Sequence, residues 1–152
     1  MEETYCIELI DDDSAWRESL ADYLRGKGFR VLLAGSAEQG LNMLKKGGIR
    51  VIVCDYNLPD EDGLKLVRKI RALRLAVVIL MVSSDDEPTL QERAFRAGVQ
   101  AFLAKTAGAG TLLQKIRQLT GAPRHALTVR SVLEVWQRLL PAPFQDERRA
   151  SA

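Results

Sequence analysis

A chain of 152 residues, 47% hydrophobic and 28% charged, fits one domain with a short appendage and is too short for two full cores. No apolar run approaches the roughly 20 residues of a membrane-spanning helix. The acidic opening Met-Glu-Glu-Thr-Tyr has neither the basic nor the apolar region of a secretory signal, so a soluble, cytoplasmic protein without membrane contact is expected. Cys6 and Cys54 lie in apolar runs without C-x-x-C spacing and His125 is the only histidine, which excludes a disulfide framework and a Cys/His zinc site. The net charge of +2 is uneven: residues 1–114 sum to −2 and residues 115–152 to +4. Basic residues scattered over such a tail read as a solvated face, so direct contact with DNA is not expected.

Apolar runs ending in acidic or small polar residues alternate with segments of helical spacing. Strands are expected at Tyr5 to Ile10, Arg30 to Ala34, Val51 to Cys54, Ala76 to Val82 and Ala101 to Ala104. Several are apolar at nearly every position, as strands buried on both faces must be. Leu20 and Leu24 mark the first helix, and Leu41 and Leu44 the second, which opens with Ser36-Ala-Glu-Gln39 in capping-box spacing. Leu64, Val67 and Ile70 give the third its buried stripe, Leu90, Ala94 and Ala97 the fourth, and Leu112, Leu113, Ile116 and Leu119 the fifth. Gly28, Gly47, Gly48 and Gly98 stand where helices end in a left-handed residue. Five alternations predict a parallel α/β sheet covered by helices on both sides. After Thr120 the composition shifts through Gly121-Ala-Pro-Arg, dividing the chain into a domain over 1–121 and an extension over 122–152. Val129, Val132, Leu133, Trp136, Leu139 and Leu140 predict one amphipathic helix over about 128–140, capped by Thr128 and stopped by Pro141, with a frayed tail after it.

Asp11, Asp12 and Asp13 follow the first strand and Asp55 follows the third. In an open parallel sheet, ligands bind at the carboxyl ends of the strands, so neighbouring first and third strands would bring Asp11, Asp12 and Asp55 together. Three ionised carboxylates in one crevice repel one another unless a cation neutralises them, and all-oxygen ligation suits Mg²⁺. The same edge receives Ser83 and Lys105, a hydroxyl and an ammonium suited to phosphoryl oxygens. A carboxylate such as Asp55 can then act as nucleophile and become an acyl phosphate. Asp13 or Ser14 is expected to cap the next helix.

These residues resemble the receiver domain of two-component response regulators. The likeness covers about residues 5 to 120 and includes Leu9-Ile-Asp-Asp-Asp-Ser, Cys54-Asp-Tyr-Asn-Leu-Pro-Asp-Glu-Asp-Gly63, Met81-Val-Ser-Ser and Phe102-Leu-Ala-Lys105. The resemblance implies a flavodoxin-like, doubly wound five-stranded sheet of order 2-1-3-4-5, to which the extension adds a C-terminal helix. It implies Asp55 as phosphoacceptor, Asp12 and Asp55 as direct Mg²⁺ ligands, Asp11 as a ligand through water and Asn57 through its backbone carbonyl. It makes Ser83 and Lys105 the phosphoryl partners, Ser83 and Phe102 the switch pair, and helix four, strand five and helix five the output face. The implied partners are a histidine kinase or histidine phosphotransfer protein upstream and an unidentified protein downstream. A homodimer would form through the output face or the C-terminal helix.

Thr106 follows the lysine where many receivers have proline, which predicts either a trans Lys105–Thr106 bond or a strained cis one. Ser84 stands where a smaller residue is common and can crowd or bond the phosphoryl group. Asn57 and Asp85 lie where receivers adjust access of hydrolytic water, which predicts a short-lived phosphorylated state.

The expected function is a phosphorylation-controlled interaction switch that catalyses only its own phosphorylation and dephosphorylation. One alternative is the receiver part of a truncated or eroded DNA-binding regulator, in which Leu127-Thr-Val-Arg would begin the output domain. Another is a haloacid-dehalogenase-type phosphatase, with its nucleophile in Asp11-Asp-Asp13 and no role for Asp55.

Overall fold

The computed structural model describes residues 5–85 and 87–121. The expected helix over about 128–140 and the extension that carries it lie outside these residues. The elements run β1 (Cys6–Ile10), α1 (Ser14–Gly26), β2 (Arg30–Ala34), α2 (Ala37–Lys45), β3 (Ile49–Asp55), α3 (Gly63–Ala72), β4 (Val78–Ser83), α4 (Pro88–Ala97), β5 (Ala101–Ala104) and α5 (Ala109–Thr120).

All five strands are parallel and stand in the order β2-β1-β3-β4-β5. Alternation along the strands sorts their side chains into two cores. Ile7, Leu9, Val51, Val53, Leu80 and Val82 face α1 and α5. Ile10, Ile52, Cys54, Ile79 and Met81 face α2, α3 and α4. Both cysteines are free and buried.

The helices start where the sequence supplies acceptors for their orphan amides. Asp13, not Ser14, caps α1, accepting the Trp16 N–H at 3.1 Å. Ser36 Oγ accepts the Gln39 N–H at 3.2 Å, while Gln39 Oε1 accepts from Gly35 N at 2.8 Å, one residue earlier than a capping box requires. Asp62 caps α3 through the Lys65 N–H at 2.9 Å. Gly98 ends α4 with φ +119, and a Cβ there would also meet Arg71 Cγ at 2.8 Å. The close approach serves Arg71, which donates to Gly98 O at 2.9 and 2.7 Å and to Val77 O at 2.9 Å, tying α3 to the end of α4 and the entry to β4.

Three strand boundaries differ from expectation. β1 begins at Cys6, not Tyr5. β3 runs from Ile49 and includes Asp55, because Asp55 still pairs with Val82 of β4. β4 runs from Val78, not Ala76, through Ser83, which pairs with Ala104. Asp55 and Ser83 are therefore the last residues of their strands, held by the sheet rather than by loops. No peptide bond among the described residues is cis, so the Lys105–Thr106 bond is trans, and the chain leaves β5 directly into a 3-10 turn over Lys105–Ala107. No helix among the described residues is long and apolar enough to cross a membrane.

Candidate functional site

At the carboxyl edge of the sheet, carboxylate oxygens of Asp11, Asp12 and Asp55 lie within 4.8 Å of one another. Asp11 and Asp55 are buried and Asp12 is exposed. The Asp11 backbone continues the ladder, its N–H donating to Ala34 O at 3.0 Å, and Arg17 Nη1 donates to Asp11 O at 2.5 Å. Asp11 Oδ1 accepts the Asp13 N–H at 2.9 Å. Asp55 Oδ1 accepts the Asn57 N–H at 3.3 Å.

Lys105 Nζ enters between the acids, 2.7 Å from Asp11 Oδ2 and 3.2 Å from Asp55 Oδ2. The Asp55 contact is a hydrogen bond. The Asp11 contact is an ion pair off hydrogen-bond geometry, so the buried Oδ2 of Asp11 has no hydrogen-bond partner. Burial, then the neighbouring Asp11 charge, push the Asp55 pKa up to about 6 against the opposing pull of Lys105 and the Asn57 amide. Burial works against the Lys105 charge, but Asp11 and Asp55 outweigh it and raise its pKa.

One ammonium does not balance three carboxylates gathered in one crevice, so the site calls for a further positive charge. The donor set is all oxygen and hard, so the residues present fit Mg²⁺ with its retained waters.

Ser83 is buried at the end of β4, and its Oγ accepts the Asp85 N–H at 3.0 Å, which leaves the hydroxyl proton free to be donated. Asp85 Oδ1 accepts the Glu87 N–H at 3.1 Å. Ser84 is exposed at the same edge. Phe102 on β5 is partly buried and packs on the α2, α3 and α4 side. Asn57 begins a narrow hairpin, bridging Asp62 in antiparallel fashion, and Gly63 N donates to Tyr56 O at 2.6 Å to close its base. A Cβ on Gly63 would run into the Asp55 carbonyl and Met81, so the hairpin can return to α3 only through glycine.

Three residues at or near this edge carry no sequence expectation. The Trp16 ring lies 5.0 Å from Lys105 Nζ, a cation–π contact. Its place in the first turn of α1, four residues after Asp12, is the signal that could have found it. Asp60, at the hairpin tip, accepts the N–H groups of Ala37 and Glu38, both at 2.9 Å. Burial pushes its pKa up, but the backbone amides of Ala37, Glu38, Asp60 and Glu61 together outweigh it, so the group titrates below the usual range. Nothing local in the sequence announces a contact across 23 residues. Glu8, inside β1, is fully buried with neither carboxyl oxygen hydrogen-bonded.

The sequence profile of the response regulator receiver domain matches residues 7–117. The sensor histidine kinase RcsC of Salmonella typhimurium is 29% identical over 110 residues, which are 72% of this chain and 12% of that protein. RcsC of Escherichia coli is 30% identical over 99 residues, 65% of this chain and 10% of the kinase. The chain therefore spans only a small part of these relatives. A CheY-like response regulator receiver domain protein from Methanospirillum hungatei superposes with a TM-score of 0.73 at 28% identity, over 76% of this chain and 93% of the other. The strand order, the acidic edge and a profile match over residues 7–117 agree, and the chain belongs to the response regulator receiver domain family of two-component signalling.

Proposed function

We propose that Asp55 accepts a phosphoryl group from a phosphohistidine on a histidine kinase or histidine phosphotransfer protein, and that this changes the surface offered to a downstream protein. The observation that carries the reading is the meeting of Asp11, Asp12 and Asp55 within 4.8 Å, with a single lysine between two of them. Asp12 and Asp55 would hold Mg²⁺ directly, Asp11 through water and Asn57 through its backbone carbonyl. When bound, the ion supplies the divalent charge that lets these acids stand ionised together beside phosphoryl oxygens.

Asp55 attacks phosphorus, forming an O–P bond as the donor's N–P bond breaks, and the electron pair stays on the departing imidazole. Lys105 then leaves its contact with Asp11 for a phosphoryl oxygen. Ser83 donates its free hydroxyl proton to a second oxygen. Because Ser83 Oγ also accepts from Asp85 N, its movement draws the β4–α4 loop with it. Phe102 would turn inward behind it, altering the face formed by α4, β5 and α5, where a downstream protein or a second copy would bind. Such a protein acts in the cytoplasm and turns over no free substrate.

Acetyl phosphate or beryllofluoride with Mg²⁺ should modify the wild type with one equivalent and leave Asp55→Asn unmodified. Labelling that survives the substitution removes Asp55 from this role. Asp85 stands in the loop after Ser83 with Oδ1 on the Glu87 N–H, and a water held by its other oxygen through one hydrogen bond would accelerate hydrolysis about fivefold. Asp85→Ala should therefore lengthen the acyl-phosphate lifetime by about that factor, measured as loss of label after donor removal.

The phosphatase alternative is disfavoured because Asp13, the second acid of its motif, is spent capping α1. The DNA-binding alternative concerns residues beyond 121.

A further inference from the structure

We propose that Asp60 is a positioning residue for the cation site, holding the Asn57–Asp62 hairpin against the N-terminus of α2 so that the Asn57 carbonyl is presented at a fixed place. The inference rests on the reading of Asp11, Asp12, Asp55 and Asn57 as the Mg²⁺ ligands. It concerns a residue that ligates nothing itself.

The hairpin is well anchored at its base. Tyr56 N donates to Val82 O at 3.1 Å, Gly63 N to Tyr56 O at 2.6 Å, and Asn57 bridges Asp62. Its tip has no such ladder, and Asn57, Pro59 and Asp60 are all exposed. The Asn57 N–H reaches Asp55 Oδ1 at 3.3 Å, near the long end of hydrogen bonding. Leu58 packs against the α2, α3 and α4 core, and the polar anchor of the tip is Asp60, whose two carboxylate oxygens each take one backbone amide of α2, Ala37 and Glu38, at 2.9 Å. Two short bonds from one planar carboxylate constrain its direction as well as its distance.

The arrangement also accounts for the start of α2. Ser36 Oγ takes only the Gln39 N–H, so the amides of Ala37 and Glu38 depend on Asp60. A negative carboxylate at a helix N-terminus gains from the helix dipole as well. The contact is thus a reciprocal clamp: α2 receives a cap from another part of the chain, and the hairpin receives a rigid support. Ser36 and Asp60 cap the same turn, but only Asp60 belongs to the hairpin that carries Asn57. Substitutions at the two positions therefore separate capping from positioning.

The test is a titration of the whole chain with MgCl₂, followed by the amide NMR shifts of Asp12 and Asn57, alongside a thermal melt. Wild type should bind, and Asp60→Ala should raise the Mg²⁺ Kd at least about fivefold, the effect of a lost constraint of hydrogen-bond size. Asp60→Asn keeps one acceptor oxygen and should recover most of that loss. Ser36→Ala should lower the melting temperature yet leave the Kd within about twofold. An unchanged Kd in Asp60→Ala, or an equal rise in Ser36→Ala, overturns the inference while leaving the cation site standing. Should Asp60→Ala not fold, Asp60→Ser, whose hydroxyl is too short to reach the amides of Ala37 and Glu38, takes its place in the same comparison with Ser36→Ala. No Mg²⁺ binding by the wild type overturns the site reading and this inference with it.

Discussion

Glu8→Met is expected to be more stable than the wild type by a margin that widens by about 5 kcal/mol between pH 4 and pH 9, since burial pushes the Glu8 pKa from 4.5 to about 8. Glu8 lies on a strand that is paired on both sides, opposite Leu32 of β2 and Ile52 of β3. Alternation along β1 points it to the same side as Cys6 and Ile10. The carboxyl has no hydrogen-bond partner and no exposure, so its charged form is strongly disfavoured. Its titratable neighbours are the thiols of Cys6 and Cys54, both held neutral by burial.

The sign follows from proton counting. Below pH 4.5 the folded and unfolded chains both carry the Glu8 proton. Between 4.5 and about 8 only the folded chain keeps it, so stability falls with rising pH by about 1.4 kcal/mol per unit. Above the folded pKa the loss is complete. Methionine is similar in length and apolar, so the variant lacks this slope. Its absolute level also includes the fit of the thioether, so the informative quantity is the difference between the two pH profiles from denaturant unfolding. Parallel profiles would mean that Glu8 is ionised and partnered in the folded protein. Glu8→Gln should share the flat profile while staying less stable than Glu8→Met, because its amide is buried without partners.

The missed carboxyl marks the limit of what the sequence shows. The run Cys6-Ile-Glu-Leu-Ile10 reads as a strand from its four apolar residues, and a central parallel strand has no wet face on which to place the fifth. That conflict was visible, but its resolution as a neutral, unpartnered acid required the burial of this one side chain. The element order was legible because buried parallel strands are almost uniformly apolar and the helices carry clear stripes. The strand order came from the receiver likeness, since periodicity does not say which strands adjoin. Asp11, Asp12, Asp55 and Lys105 were legible as candidates because strand ends in parallel sheets gather at one edge, and the structure brings them together. Ends of strands were misplaced by a residue or two where a polar side chain still pairs, as Asp55 does with Val82. Asp60 and Trp16 were not found, since hydrogen bonds and ring contacts between distant segments leave no local pattern.

Mg²⁺ affinity is expected to fall about tenfold as pH drops from 7.5 to 5, because Asp55, with its pKa raised to about 6, must lose a proton before it can ligate. Above pH 7 Asp55 is already ionised and the affinity should level off. Below 6 each further pH unit costs about a factor of ten, as the proton competes for the same oxygen. Calorimetry in buffers of different ionisation enthalpy should register release of about half a proton per ion near pH 6. In Asp55→Asn the affinity is lower throughout and the decline over this window disappears. Lys105→Met separates two opposing effects of the lysine. Its ammonium, 2.7 Å from Asp11 and 3.2 Å from Asp55, occupies the field that draws the cation, so at pH 8 its removal should tighten Mg²⁺ binding. The same ammonium holds the Asp55 pKa down against burial and Asp11, so without it the midpoint of the decline should move above 6. Tighter binding with an unmoved midpoint would mean that Lys105 acts on Asp11 alone, and a wild-type midpoint below the ordinary 3.8 would mean that Lys105 and the Asn57 amide outweigh burial and Asp11.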